Sequence, residues 1–391
     1  MAAKILFISN GTGEDLNGSQ VFKALKNLSA EIEVMALPVV GEGNAYRQLK
    51  VNLIAETQSL PSRGFLYMNR IELLRDLKAG LVGLTIAQIR ALLAYRNKFD
   101  LVFATGDVVV LAMAWLTNCP YAAFLVSASA HYENRFDLPW LTNFLLRSPR
   151  CVKIFCRDRY TAELCQAQGL NQAVFKGYPI MDLLQPSGIV VELDPNLPMV
   201  AFLPGSRLPE ACANLALMLQ LALLIPIPIQ FYAAIVPSMV EHLSEIAKSQ
   251  GWQLSENLVL SQQNIQVRCS SNSFATILDK CDLVVGMAGT AVEQAVGLGK
   301  PVIQIPGKGP QFTYRFAEAQ MRLLGKSVQT IGKSPATSEI LQQAAALIPQ
   351  ILADPEYLQI CQQNGIERVG KEGGSEAIAK TLFNLIDHPD N

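Results

Sequence analysis

Two carboxylates lie just past apolar, β-branched runs early in the chain: Asp15 in Gly11-Thr12-Gly13-Glu14-Asp15 and Asp107 in Ala104-Thr105-Gly106-Asp107. A carboxylate between the end of a strand and the mouth of a helix can take the proton of a substrate hydroxyl. The same position also suits a helix cap or a charge resting on the helix dipole. Both readings stay open for both residues, the sharper one placing Asp15 toward a binding cleft. Ser127-Ala128-Ser129-Ala130-His131 follows a later run at the same kind of edge. Serine beside histidine invites a hydrolase, but no G-x-S-x-G elbow is present. His131 reads instead as a ligand contact or a satisfied side chain.

The second half carries anion chemistry. Leu203-Pro204-Gly205-Ser206-Arg207-Leu208-Pro209-Glu210 joins an apolar run to a helix through a Gly-Ser turn. Arg207 can donate two parallel hydrogen bonds to a phosphate, and Pro209 and Glu210 fit the first helical turn. Further on, Asp282–Val285 reads as a strand and Gly286-Met287-Ala288-Gly289-Thr290 as a turn. Ala291–Leu298 has helical composition, and Val302–Ile305 is a second strand. The free N–H groups of such a turn and the positive end of the helix dipole make a seat for phosphate. The first turn of the chain is not a dinucleotide fingerprint. The third glycine of G-x-G-x-x-G falls on Leu16, and Glu14 and Asp15 would oppose a pyrophosphate.

These residues need a scaffold that brings strand ends together. Strands are expected at Lys4–Asn10, Glu33–Leu37, Leu101–Thr105, Tyr121–Val126, Lys153–Cys156 and Ala173–Phe175, with helices between. The pattern breaks at Leu183–Pro198, where Asp194-Pro195-Asn196-Leu197-Pro198 reads as a linker, and resumes at Met199–Leu203, Ile229–Val236 and Leu258–Leu260. At 391 residues the chain exceeds one ordinary core. The expected division is 1–184, a linker at 185–198, a second domain at 199–354 and a helical tail at 355–391 that returns to the first domain. The fold class is α/β, two doubly wound, Rossmann-like domains, with ligand sites beyond the carboxyl ends of the strands and a cleft between the domains.

Composition narrows the partners. Lys and Arg number 32 against 33 Asp and Glu, so no nucleic-acid surface is marked. The eight cysteines form no C-x-x-C pair and suit reduced, buried thiols in a cytoplasmic protein. The three scattered histidines make no metal site. The stretch from Ala211 to Val240 has no charge, but Pro226, Pro228 and Pro237 interrupt it, and it reads as a buried helix, a turn and a strand. The region Leu66–Tyr95 is amphipathic, with Phe65, Leu66, Ile71, Leu74, Leu77, Leu81 and Leu84 as its apolar residues; it either packs on the first sheet or docks on a membrane or holds an acyl chain.

The order of these motifs resembles the lipid-A-disaccharide synthase family of glycosyltransferases, more narrowly its related proteins, over most of the chain. Leu-Pro-Gly-Ser-Arg-x-x-Glu at 203–210 and Ala288-Gly289-Thr290-Ala291 carry the likeness, with Pro301 at the expected distance. So do Pro310-Gln311-Phe312-Thr313-Tyr314, Gly177-Tyr178-Pro179-Ile180-Met181-Asp182, Val126-Ser127-Ala128-Ser129, and Asp15 with Gly18. The resemblance implies a GT-B fold and inverting, metal-independent transfer from a UDP-sugar, a substrate rather than a cofactor, to a lipid or glycolipid acceptor. It implies donor contacts from Gly205, Ser206, Arg207, Gly286, Gly289, Thr290, Ala291, Glu293, Gln294 and Gln311. It implies acceptor contacts from Gly13, Glu14, Ser127, Ser129 and His131, with Asp107 or Asp15 as general base and peripheral contact with a membrane. The sequence also lacks an Asp-x-Asp motif for a divalent ion. Three departures point away from lipid A synthesis proper. Gln294 stands at the ribose-binding glutamate, with Glu293 one residue earlier; Val109 replaces a second acid; and no Asn-Leu-Leu stretch occurs near Lys326–Ile331. A UDP-sugar 2-epimerase and a non-catalytic nucleotide-sugar-binding protein are the alternatives.

Overall fold

The computed structural model describes residues 3–58, 80–133, 137–185, 188–189, 191–287, 289–307 and 313–387. The chain divides into two units, Met1–Asp182 with Glu372–Asn391, and Leu183–Lys371.

The first unit holds β1 (Lys4–Ser9), β2 (Glu33–Pro38), β3 (Asn52–Leu53), β4 (Leu101–Thr105), β5 (Tyr121–Leu125), β6 (Cys151–Cys156) and β7 (Ala173–Val174). They form one sheet in the order β3-β2-β1-β4-β5-β6-β7, and every pairing is parallel. Its central strands are buried along their length because helices cover both faces, which is why they read as unbroken apolar runs. The helices are α1 (Thr12–Leu28), α2 (Asn44–Arg47), α3 (Leu81–Ala94), α4 (Val108–Leu116), α5 (Trp140–Leu146) and α6 (Arg159–Ala167). Strand order reverses between β1 and β4, so the chain leaves these neighbours toward opposite sides and opens a crevice at their carboxyl ends.

The second unit holds β8 (Met199–Leu203), β9 (Gln230–Ala234), β10 (Gln253–Leu254), β11 (Val259–Gln262), β12 (Ile265–Ser270), β13 (Leu283–Gly286), β14 (Val302–Gln304) and β15 (Val328–Thr330). Their order is β10-β11-β12-β9-β8-β13-β14-β15, with the reversal between β8 and β13. The edge β10-β11-β12 is antiparallel. Only part of it is foreseen in the sequence, because Ile265–Ser270 alternates apolar with polar residues and lacks the signature of a buried strand. The helices are α7 (Glu210–Ala222), α8 (Leu243–Gln250), α9 (Phe274–Lys280), α10 (Gly289–Gly297), α11 (Tyr314–Leu324), α12 (Ser338–Leu352) and α13 (Pro355–Arg368). The charge-free stretch from Ala211 forms α7, whose Leu215, Met218 and Leu219 enter the core against Phe202 and Phe231. Among the described residues no helix is long and apolar enough to cross a membrane.

The expected tail of 355–391 is two elements with two destinations. α13 belongs to the second unit, packed on α10 at a crossing so close that a Cβ on Gly365 would lie 2.1 Å from the Val296 carbonyl oxygen. The last helix, α14 (Gly374–Asp387), packs on α1 in the first unit. Asp182 fixes its start by accepting hydrogen bonds from the amides of Gly373 and Ser375 at 2.5 and 2.7 Å. The carboxylate thereby satisfies donors that the helix itself leaves unpaired.

Candidate functional site: the carboxyl edges of the two sheets

At the first sheet's switch point, Ser9 pairs with Thr105, and the turns that follow are packed together. A Cβ on Gly106 would lie 3.4 Å from the Cβ of Asn10 and 3.5 Å from the Cγ of Glu14. Glu14 and Asp107 therefore share one small region. Asp107 is partly exposed and caps α4, its Oδ1 accepting from the Val109 amide at 2.9 Å. Gly13 is half-buried on the first turn of α1, where a Cβ would meet nothing within 4 Å.

Asp15 turns the other way. It is 3 % exposed, and its Oδ1 accepts from the Ser9 hydroxyl at 2.6 Å. The Ser9 oxygen lies 3.1 Å from the Tyr46 hydroxyl, so with Ser9 donating to Asp15 the Tyr46 hydroxyl donates to Ser9. Gly18 makes room for this chain, since a Cβ there would fall 2.1 Å from the Tyr46 oxygen. Burial raises the Asp15 carboxyl to about 7, the Ser9 hydrogen bond acting in the opposite direction. Burial, and secondarily the Asp15 charge, raises Tyr46 far above the usual phenol range, so its hydroxyl keeps its proton. In the first unit Asp15 is thus an interior group. Sequence pattern did not flag Ser9 or Tyr46, because neither sits in a turn motif.

Two strands along the same edge, Ser129 is buried and donates to Asp158 Oδ2 at 2.7 Å. Asp158 is fully buried and caps α6 by accepting from the Thr161 amide at 2.7 Å. His131 Nε2 lies 3.7 Å from Asp158 Oδ1. Ser129 thus bonds the carboxylate directly, and no serine–histidine–aspartate relay forms. Beside them the buried Arg157 donates Nη1 to the Val126 carbonyl at 3.1 Å and stacks 5.0 Å from the Tyr178 ring. Ser127 is the exposed member of the stretch. Arg157 and Asp158 escape a sequence reading, although Asp158 three residues before Thr161 is a recognisable helix start.

The second unit repeats the topology with different chemistry. Leu203 and Gly286 are register partners at the ends of β8 and β13. A Cβ on Gly286 would lie 2.8 Å from that of Leu203, so only glycine lets the strand ends converge there. The two turns predicted to hold phosphate accordingly emerge from adjacent strands. Gly205 has φ +104°, a conformation that favours glycine. The turn is tethered by Asn214, whose Nδ2 donates to the Pro204 carbonyl at 2.9 Å. Ser206 is exposed and Arg207 half-buried.

α10 begins at Gly289, with Thr290 exposed, Ala291 and Glu293 half-buried and Gln294 4 % exposed. Of the two residues considered for ribose, Glu293 is the accessible one. Behind Gly289 runs a chain of amides absent from the sequence reading. Gln320 donates Nε2 to the Gly289 carbonyl at 3.1 Å, Gln304 donates to Gln320 Oε1 at 2.7 Å, and Thr330 donates to Gln304 Oε1 at 3.2 Å. It fixes the first turn of α10 from the β14–β15 side. Gln311 lies outside the described residues. Among the described residues no group of three or more His, Cys, Asp or Glu side chains is placed to hold a metal ion. All eight cysteines are free thiols, seven of them buried.

No protein-family model and no curated protein matches the chain. Solved structures do. The calicheamicin glycosyltransferase CalG4 is similar at 13 % identity and a TM-score of 0.66, over 100 % of both chains. The glycosyltransferase SnogD from Streptomyces nogalater is similar at 16 % identity and a TM-score of 0.54, over 99 % of this chain and 100 % of that one. The UDP-GlcNAc 2-epimerase from Neisseria meningitidis, bound to UDP-GlcNAc, is similar at 15 % identity and a TM-score of 0.57, over 97 % of this chain and 100 % of that one. The chain has the fold these proteins share, two Rossmann-like α/β domains with parallel sheets, the GT-B fold of glycosyltransferases and epimerases.

Proposed function

We propose that the chain is an inverting, metal-independent glycosyltransferase that moves a sugar from a UDP-sugar to a hydroxyl of a lipid-linked or glycolipid acceptor, in the manner of a lipid-A-disaccharide synthase. One observation carries the reading: the segments that follow Leu203 and Gly286 leave register-paired strand ends at the switch point of the second sheet, with Arg207 in the first and the start of α10 beyond the second. Backbone amides, the start of α10 and a guanidinium would meet the diphosphate as its charge develops on departure. Gly205, Ser206, Gly286, Gly289, Thr290 and Ala291 supply that cradle, and Glu293 takes the ribose.

On the first unit, the partly exposed Asp107 takes the acceptor proton while the hydroxyl oxygen bonds to the anomeric carbon and the bond to the diphosphate breaks. Glu14, Gly13, Ser127 and His131 border the acceptor. Asp15 and Ser129 act through positioning, since both are buried. The UDP-GlcNAc 2-epimerases among the similar structures support a second reading, elimination of UDP followed by re-addition.

A panel of UDP-sugars assayed for UDP release separates the two. Release that needs a glycolipid or lipid-extract acceptor supports transfer. Release from UDP-N-acetylglucosamine alone, with isomerisation at C2, supports the epimerase. No release, and no thermal shift with UDP, would sink both.

A further inference from the structure

We propose that Ser9, Asp15, Tyr46 and Thr105 form a buried two-position switch beneath the acceptor edge of the first unit. It sets the first turn of α1 against the turn that carries Asp107, according to whether Asp15 holds its proton. Its effect on an acceptor rests on the transfer reading above; the switch itself does not. The parallel register pairs Phe7 with Phe103 and Ser9 with Thr105. The rings of Phe7 and Phe103 meet at 5.2 Å, and Phe7 meets Phe22 of α1 at 6.5 Å, so this is the face of the sheet that α1 covers. Side chains alternate along a strand, so two residues on, Ser9 and Thr105 emerge together on that face. All four members are buried, Asp15 at 3 % and Thr105 at 1 % exposure. The opposite face is apolar core. Leu81 and Leu84 of α3 pack there, while Phe65, Leu66, Ile71, Leu74 and Leu77 lie outside the described residues.

Counting donors defines the two positions. Tyr46 gives its one hydroxyl proton to Ser9, and Ser9 gives its own to Asp15 Oδ1. Among the described residues no second hydrogen bond reaches that carboxyl. One donor suits a neutral carboxyl, whereas a carboxylate accepts at about four sites and donates nothing. The described arrangement is therefore the protonated one, in keeping with a carboxyl raised by burial to about 7. Thr105 supplies the other state. Its hydroxyl is buried and makes no hydrogen bond among the described residues. The Ser9 and Tyr46 protons being committed, it is the donor left on the neighbouring strand for a charged Asp15. Once the carboxyl proton has gone to bulk water, the carboxylate moves toward β4 to take this second bond, and Gly13 and Glu14 move with it. A Cβ on Gly13 would meet nothing within 4 Å, so the turn has room. A Cβ on Gly106 would already lie 3.5 Å from Glu14 Cγ, so the displacement is felt at the Asp107 turn.

No base opposes the switch. α1 packs against α2, α14, β1 and β4. Among the described residues of these elements, Arg47 donates to the Glu42 carbonyl, Lys4 pairs with Glu33 at the far end of β1, and Lys380 pairs with Glu376 at the surface of α14. Lys23 and Lys26 lie farther along α1, and β4 carries no charge. The acids nearby are Glu14 on the same turn and Asp107 two residues beyond Thr105. A charged Asp15 beneath them repels both, which adds to the change at that edge. The protonated arrangement, with Glu14 and Asp107 in one small region, is the one that receives an acceptor, so acceptor binding weakens as pH rises through about 7.

The first test titrates the full chain with no ligand. Infrared difference spectra should show a protonated carboxyl band that vanishes with a midpoint near pH 7 in wild type and is missing from Asp15→Asn. Thr105→Val should raise that midpoint by about one pH unit or more, because the charged form loses a hydrogen bond. Hydrogen exchange of the peptides over residues 10–17 and 104–110, corrected for intrinsic rates, should change together at the wild-type midpoint. Neither peptide should change in Asp15→Asn. Both substitutions are nearly isosteric, and thermal unfolding in acid checks that each variant is folded. Absence of the carboxyl band near neutrality overturns the proposal, as does an unmoved midpoint in Thr105→Val. Titration that leaves the exchange of both wild-type peptides unaltered overturns it too, because the acid would then ionise without moving the turn. The second test adds UDP-N-acetylglucosamine and a lipid extract. The apparent KM for the extract should rise about tenfold between pH 7 and pH 8 in wild type and stay level in Asp15→Asn, with little change in kcat. A level KM in an active wild type overturns the link to the acceptor. No UDP release, with titration and exchange as expected, sinks the transfer reading alone.

Discussion

The two sheets solve the same geometric problem with opposite materials. Each is doubly wound, and each delivers two turns to the carboxyl ends of neighbouring strands at its switch point. In the first unit those turns carry Glu14, Asp15 and Asp107, and the wider edge draws acids and hydroxyls inward: Asp15 onto Ser9, Asp158 onto Ser129. In the second they carry glycine, small hydroxyls and Arg207, with a neutral amide chain behind. In the proposed function, one edge holds or moves a proton and the other accepts an anion. Topology chooses where a site lies, and the side chains delivered there choose what it does.

That contrast can be broken at either edge. The largest expected effect is on turnover. Asp107→Asn should lower sugar transfer by about 10²–10⁴-fold, the usual worth of a general base, while leaving UDP-induced thermal stabilisation intact. Equal loss of both would mean that Asp107 serves α4 as a cap and nothing more. Arg207→Ala should do the converse, weakening UDP binding by about 10–100-fold in calorimetry, as expected when a charge-assisted bond to phosphate is removed. Unchanged affinity would detach the second edge from anions.

A third test reads the buried acid of the first edge through stability. The folded state holds Asp15 at about 7 against the ordinary aspartate 3.8, so it keeps a proton that the unfolded chain has lost. Stability tied to this group is full below about pH 4 and declines as pH rises toward 7, by up to about 1.4 kcal/mol per unit. Asp15→Asn should flatten that decline in urea unfolding run between pH 4 and pH 8; an unchanged slope would show that the carboxyl ionises freely. The smallest effect sharpens the second edge. Gln320→Leu leaves the Gly289 carbonyl without its side-chain donor and should weaken UDP binding a few-fold, about 1 kcal/mol, with the unimolecular rate nearly unaltered. Gln320→Glu keeps an acceptor for Gln304 but loses the donor, so it should not restore affinity.

The turns around Arg207 and Gly289 were legible because glycine, proline and apolar runs encode strand–turn–helix locally. Asp107 was legible as a strand-end carboxylate for the same reason. Ser9, Tyr46, Gln304, Gln320 and Asp158 were not, since their roles depend on partners far away in sequence, 37 residues apart for Ser9 and Tyr46 and 29 for Ser129 and Asp158. The tail shows the same divide. Its helices were evident from composition, yet only the glycine crossing at Gly365 and the Asp182 cap assign α13 and α14 to different units.

By itself the sequence determined the alternation of strands and helices, the break near Leu183 and which turns were rich in glycine or charge, because those properties arise between residues a few positions apart. The tertiary structure alone decided strand order, hence which turns became neighbours, and it decided that Asp15 turns inward while Asp107 stays partly exposed. Burial and hydrogen-bond partners are relations across the fold, and an aspartate acquires its protonation from them rather than from the residues beside it.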